Sequence, residues 1–379
     1  MELPNISITK HFENLEDPRV LRTRRHPLIS IIVLAVAGVI CNCDSWVEIQ
    51  EFAKTKKKFF EKFLSLPSGI PSHDTFGRVF SVLDAKAFQD CFVSWVRELI
   101  DLSQGKLIPG KTVAIDGKTV RGSHNQAVGK RAIHMVSAWV SDNSLVLGSV
   151  KTEAKSNEIT AIPELLKLLL LDGCIVTIDA MGCQKEIISE LVKKDADYCI
   201  AVKENQPRLY EGIKESFRLP LQTKVVETYE TSEKSHGRTE KRKYTLLTDQ
   251  EYLDYLNSEG DWKNLRSIGQ VESKRTINGV TSKETRYYIL SINQVKQFAE
   301  ATRNHWGIEN KLHWVLDVIF KEDQSRVRTG HSDQNFCILR HLALNLIKQN
   351  KSKGSIKTKR LKSGWDENFL VEVLTPKTL

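Results

Sequence analysis

The sequence predicts an α/β fold: a mixed sheet with flanking helices, an all-helical N-terminal domain, and a β-rich insertion ahead of a last helical stretch. Three observations carry this. Residues 26–104 repeat apolar side chains at helical spacing in four segments. Beyond Pro109-Gly110 the chain switches to short Val- and Ile-rich runs that alternate with two helical patterns. From about 211 to 294 strand-like runs dominate, and helical spacing then returns.

The four N-terminal helices are expected at 27–42, 45–64, 73–83 and 85–102. Asp44-Ser45 supplies a cap for the second, and Ser72 or Asp74 for the third, after the turn around Pro67, Gly69 and Pro71. Two readings fit this region, a plain packing bundle and a helix-turn-helix with Arg78 outward. Strands follow at 112–115, 132–140 and 145–150, a helix at 158–171, a strand at 174–178, a helix at 184–194 and a strand at 198–202. Near-continuous apolar strands of this kind are buried on both faces, so helices should cover the sheet on both sides. The insertion reads as strands at 224–231, 238–247, 265–273 and 285–292, with an Asn278-Gly279 turn. Helices are expected again at 295–320 and 335–348. Residues 348–362 hold seven Lys or Arg without an apolar face and read as a mobile basic arm or phosphate-contacting strap. The segments group as 1–108 (helical, DNA-binding or assembly), 109–210 (core, first part), 211–294 (insertion), 295–350 (core, last helices) and 351–379 (basic tail).

A net charge of +9 spread along 379 residues favours a polyanionic partner. Nucleic acid suits this better than a membrane surface, since no basic amphipathic helix stands apart. The apolar run 27–43 is short for a bilayer span and reads as a buried helix. Seven cysteines, an odd number without a Cys-x-x-Cys pair, argue against a disulfide framework or a zinc ribbon. With four acids in the first twenty residues and no apolar leader, a cytoplasmic, nucleoid-associated protein is expected.

The sharpest local feature is Val113-Ala114-Ile115-Asp116-Gly117-Lys118, an apolar strand running into a carboxylate and a glycine. Val176-Thr177-Ile178-Asp179-Ala180 repeats the arrangement. A carboxylate at the end of a buried strand is costly unless it is paired or metal-bound. Either each Asp caps its own turn, or the two share a site at the strand ends. Mg²⁺ takes oxygen ligands, and a pair of ions can activate an attacking oxygen and stabilise a leaving one. Glu309 is the candidate third acid, on a helical stripe with His305, His313 and Asp317. That stripe also admits a His-Glu-His zinc surface of its own. Trp306 and Trp314 read as core anchors.

On these residues the chain resembles the bacterial insertion-sequence transposases of the DDE class, in the group of H-repeat-associated proteins. The resemblance spans nearly the whole chain. It rests on residues 116–123 and 177–184, on Ala201-Val202-Lys203-Glu204-Asn205-Gln206, on His236-Gly237-Arg238-Thr239-Glu240, and on 306–323. It implies a ribonuclease-H-like core with the first acid on the first strand, the second after the fourth, and the Glu on a helix beyond a β insertion. It further implies that Asp116, Asp179 and Glu309 are catalytic and bind two Mg²⁺ ions, with Mn²⁺ able to substitute. Its implied partners are DNA with terminal inverted repeats, target DNA and further copies of the chain. The Tyr-x2-Arg-x3-Glu-x6-Lys pattern of related transposases is not kept: Thr302, His305 and Leu316 stand at its other positions.

Lys118, Arg121, Lys203 and Asn205 follow the aspartates and the last core strand closely enough to contact phosphates, with Arg303 and Lys311 flanking Glu309. Solvated surface charge explains the first four equally well. His236, Arg238, Glu240 and Arg242 share one strand face, which suits a DNA channel or a cross-strand salt-bridge ladder. Asp317, Glu322 and Asp323 could add a fourth carboxylate or hold His and Arg partners. The expected function is metal-dependent DNA strand cleavage and 3′-hydroxyl strand transfer. Its rivals are a DNA-binding relative without turnover and a nuclease that cuts without joining.

Overall fold

The computed structural model describes residues 8–102, 110–152, 158–219, 225–235 and 237–375. Its strands are β1 (Thr112–Val120), β2 (Ile133–Val140), β3 (Leu145–Lys151), β4 (Ile175–Ile178), β5 (Asp197–Val202), β6 (Val226–Ser235), β7 (Arg238–Leu247), β8 (Ser267–Ile277) and β9 (Val280–Leu290). All nine join one sheet in the order β3-β2-β1-β4-β5-β9-β8-β7-β6. β1, β4 and β5 run parallel, while β2, β3 and β9 pair antiparallel. The insertion is therefore continuous with the core sheet: β9 pairs along β5 from Cys199↔Leu290 to Val202↔Tyr287. The β8–β9 turn falls on Asn278-Gly279, both at positive φ, as a tight hairpin requires.

The helices are α1 (Thr9–Phe12), α2 (Leu28–Ile40), α3 (Trp46–Thr55), α4 (Lys57–Phe60), α5 (His73–Val82) and α6 (Ala85–Leu102), then α7 (Glu158–Leu168) and α8 (Lys185–Lys193). After them come α9 (Pro207–Arg218), α10 (Gln250–Leu256), α11 (Val295–Ile308), α12 (Trp314–Val318), α13 (Ser332–Gln349), α14 (Ile356–Trp365) and α15 (Glu367–Leu374). Ser45 caps α3 in a full capping box with Glu48, and Ser72 caps α5 through the Thr75 N–H. The expected helix over 45–64 breaks at Lys56 into α3 and α4. Two short helices that the strand-rich reading of 211–294 passed over, α9 and α10, pack on each other.

The apolar run at 27–43 is α2, whose side chains are buried from Ile31 to Ile40. It packs on α13, which also meets α5, α6 and β3, so one continuous core joins the N-terminal helices to the sheet. Among the described residues no helix is long and apolar enough to cross a membrane. All seven cysteines are free.

The basic segment 348–362 is not a free arm or strap. Its second half is α14, and Lys359 and Arg360 are buried. Arg360 is 0% exposed, donates to the Val39 carbonyl at 2.9 Å and to Ile319 O, pairs with Asp44 at 3.4 Å, and stacks 4.1 Å from the Phe320 ring centroid. The sequence hid this because a fully bonded buried guanidinium looks like surface charge in composition. Arg360→Ala should lower stability by about 3–5 kcal/mol, since it strands Asp44 and two carbonyls. Urea unfolding should show this as a fall in midpoint at unchanged slope.

Candidate active site

Parallel pairing of β1 with β4 ends at Ile115↔Ile178. The next residues are Asp116 and Asp179, side by side and on one face of the sheet because equal registers carry equal alternation. Only β4 stops there. β1 runs on to Val120 against β2, with Asp116 opposite Ser137, so Asp116 lies within a strand rather than at its exit. Asp179 also caps its own turn, accepting the Met181 N–H at 3.0 Å. Capping and a shared position are thus satisfied together.

The face carrying both aspartates lies under the helix of Glu309. Asn304 reaches Thr112 at 3.4 Å, His305 Nδ1 meets Thr177 Oγ1 at 3.0 Å, His313 Nδ1 stands 3.5 Å from Asp116, and Asp317 pairs with Lys118 at 2.7 Å. On the other face, α7 and α8 cover Val176 and Ile178 with Ile162, Leu165, Ile187 and Leu191. The expected single helix over 295–320 contains a π turn, Glu309–His313, between α11 and α12. A π turn widens the spiral and breaks the i, i+4 stripe, and such turns recur at functional sites. His305 and His313 touch the sheet, whereas Glu309 is exposed. The three side chains do not form one surface, which removes the separate His-Glu-His zinc reading.

Asp116, Asp179 and Glu309 all line one cleft of about 870 Å³, together with Lys203, Asn205, Arg286 and Trp306. Burial, then the charges of Glu158, Asp179 and Glu309, push the Asp116 carboxyl up to about 7 against the opposing Gly117 N–H. Burial and Glu158 likewise raise Asp179, with Lys203 opposing. Burial raises Glu309 against Arg286. His313 does not neutralise the group, since burial and then Lys118 depress its imidazole to about 4 and leave it uncharged at neutral pH.

Glu158 was not singled out from the sequence, where it is merely an acid in the first turn of a helix. Its Oε1 is 2.7 Å from His134 Nε2, and His134 Nδ1 is 2.9 Å from Thr119 Oγ1. This pair presses on Gly117: a Cβ there would meet Glu158 Oε1 at 2.2 Å and His134 Nε2 at 2.3 Å. The glycine following Asp116 is the one signal in the sequence that something approaches closely.

The expected DNA-contacting residues divide. Lys203 is exposed in the cleft, and Asn205 donates to Ala180 O at 2.7 Å, bracing the turn after Asp179. Arg238 and Arg303 line an adjoining cleft of about 350 Å³ with Arg242, Arg275 and Arg286, which meets the first at Glu309 and Trp306. There Arg303 bonds Glu233 at 2.5 Å and Arg242 bonds Glu240 at 2.6 Å, so the salt-bridge ladder is present. His236 lies outside the described residues. Arg121 is exposed, 3.5 Å from Asp323, and Lys311 is exposed. Lys118 is otherwise engaged: only 10% exposed, it pairs with Asp317, Glu322 and Asp323 at 2.7, 3.0 and 3.3 Å. Burial alone would raise Glu322, but Lys118 and Arg340 hold it down at about 2. Lys118 thus ties β1 to the segment after α12 instead of facing the cleft. The tryptophans are not core anchors: Trp314 is 54% exposed, and Trp306 lies under the Arg286 guanidinium at 4.8 Å.

All-oxygen donors crowded beside one another, with raised carboxyls, suit a hard divalent cation. Among the described residues no three His, Cys, Asp or Glu side chains form a closed metal cluster. An open arrangement is compatible with Mg²⁺, which completes its shell with water and substrate phosphates.

Residues 109–346 match the family described as Transposase DDE domain, and residues 9–96 match its DDE_Tnp_1-associated family. "Putative transposase YncI" of Escherichia coli O157:H7 is 41% identical, over 97% of this chain and 94% of its own length. "H repeat-associated putative transposase YhhI" of Escherichia coli K12 is 38% identical, over 99% and 98%. Among solved structures, a piggyBac transposase synaptic complex with hairpin DNA is similar at TM-score 0.40 and 11% identity, covering 100% of this chain and 79% of that one. The arrangement of acids on the first strand, after the fourth strand and on a helix beyond the insertion thus coincides with a sequence match over most of the chain, and the protein belongs to the DDE transposase family.

Proposed function

We propose that the chain is a metal-dependent DNA transposase that cuts at the ends of an inserted element and joins the exposed 3′-hydroxyl to target DNA. The observation that carries this is the placement of Asp116 and Asp179 in equal register, with Glu309 on the π turn lining the same cleft. These three residues would hold Mg²⁺, or Mn²⁺ in its place, which polarises the phosphate and lowers the pKa of the attacking water or hydroxyl. Asn205 and the Met181 N–H fix the turn that carries Asp179, and His313 shields Asp116 from solvent. Lys203 beside the acids and the arginine-lined cleft beyond Glu309 give a polyanion a continuous path to the acids, in which Arg238 and Arg303 can exchange Glu partners for phosphates. Arg121 and Lys311 extend the path outside the clefts. The partners are double-stranded DNA bearing terminal inverted repeats and target DNA, held by more than one copy of the chain, in the bacterial cytoplasm at the nucleoid.

The test is strand transfer with labelled element-end DNA, unlabelled target and Mg²⁺. Covalently joined label in the target is the expected result. Hydrolysed ends without joining would reduce the activity to that of a nuclease. DNA binding with neither product would leave only a binding protein.

A further inference from the structure

We propose that Glu158, held in place by His134, is a fourth carboxylate of the site and shares in divalent-ion binding with Asp116 and Asp179. The inference rests on the divalent-ion reading above and extends it to a pair of residues outside the acidic triad. Glu158 opens α7, the helix that crosses under β2 and β3, and the next residue, Ile159, lines the same cleft as the two aspartates. Its side chain is 13% exposed, although it carries an acid that His134 bonds at one oxygen only, at 2.7 Å. A carboxylate has lone pairs on both oxygens, so one bond to His134 leaves donor capacity.

The backbone is arranged to let this acid in. Gly117 follows Asp116 directly, and any side chain there would collide with Glu158 Oε1 and His134 Nε2. His134 is itself fixed from behind by Thr119, two residues beyond Gly117 on the neighbouring strand. The chain Thr119–His134–Glu158 thus pins a carboxylate against the strand at the position of the first aspartate. Its charge is felt by both aspartates, and for each it is the foremost neighbouring acid. A pair that served only to staple α7 to β2 would be better placed away from two other acids, where like-charge repulsion is absent. Placing it here makes sense when a cation joins them. In this scheme His134 is a positioning residue: it fixes the orientation of a ligand, as second partners of metal-binding groups do.

The test measures Mn²⁺ binding to the full-length protein without DNA, from the free-ion paramagnetic resonance signal. Wild type should bind, Asp179→Asn should bind much more weakly, and Glu158→Gln should lose about tenfold or more in affinity. His134→Gln should weaken Mn²⁺ binding by a smaller factor, as expected of a residue that orients a ligand. Glu158→Gln keeps the size of the side chain and an oxygen for His134, so its metal-free melting temperature should stay near that of wild type. A purely structural ion pair predicts the reverse pattern, a lowered melting temperature with unchanged Mn²⁺ affinity, and that result overturns the inference while leaving the triad intact. Absence of Mn²⁺ binding by wild type would instead overturn the divalent-ion reading itself, and this inference with it.

Discussion

Asp116→Asn and Asp179→Asn should each lower strand cleavage and joining by at least about a thousandfold, roughly 4 kcal/mol of transition-state stabilisation, with DNA binding retained. The size follows from what Asn keeps and loses. It keeps the shape and an oxygen for the Met181 N–H at position 179, so the turn after β4 survives. It loses the negative charge, and a neutral amide is a poor ligand for a hard cation whose shell here has few protein donors. Glu309→Gln should also inactivate, but Glu309 is exposed and opposed by Arg286, so its effect on affinity for the ion should be smaller than on turnover. Joined and nicked products are read on denaturing gels, and binding by mobility shift at low salt, where phosphate contacts dominate. Wild-type levels of joining in either aspartate variant would remove the triad from the mechanism.

The readable part of this site is the part that strand chemistry writes locally. Val113-Ala114-Ile115-Asp116 and Val176-Thr177-Ile178-Asp179 are apolar strands ended or interrupted by an acid, and the order of strands between them brings β1 and β4 together. Glu309 came from family resemblance, since on a regular helix it shares a face with His305 and His313. The π turn that separates them depends on how the helix rests on β1, through Asn304, His313 and Asp317, and leaves no mark in spacing. Glu158 and His134 were missed for the same reason: they are 24 residues apart and meet only because α7 crosses the sheet. Lys118 misled in the opposite direction. It stands two residues from Asp116, yet its partners Glu322 and Asp323 are 204 and 205 residues away, and they claim its charge. Arg360 repeats the lesson, a cation whose partners Val39 and Asp44 lie on the far end of the chain.

The crowding of acids carries a second large effect, on stability. Asp116 keeps its proton in the folded chain up to about 7, against an ordinary value of 3.8. A group whose folded pKa is raised contributes stability that is fully present below the unfolded value and is lost as pH rises through the folded value. For Asp116 that window runs from about 4 to about 7, and the loss amounts to about 2–4 kcal/mol for a mostly buried carboxyl. The wild-type curve alone will not show it. His305 and His341, each depressed to about 4 by burial, and His313 contribute in the opposite sense, with stability lost as pH falls from 6.5 toward 4. Glu322 acts lower still, between 4.5 and about 2. The difference between Asp116→Asn and wild type cancels these shared groups. Without metal, the variant should match wild type near pH 4 and exceed it by about 2–4 kcal/mol at pH 8 in urea unfolding. Mg²⁺ should then close the gap at pH 8 by stabilising wild type and not the variant, because only the folded wild-type site gathers the charges that bind it. A difference that is flat across pH would mean that Asp116 is ionised in the folded chain without cost, and that the acids are not crowded enough to require a cation.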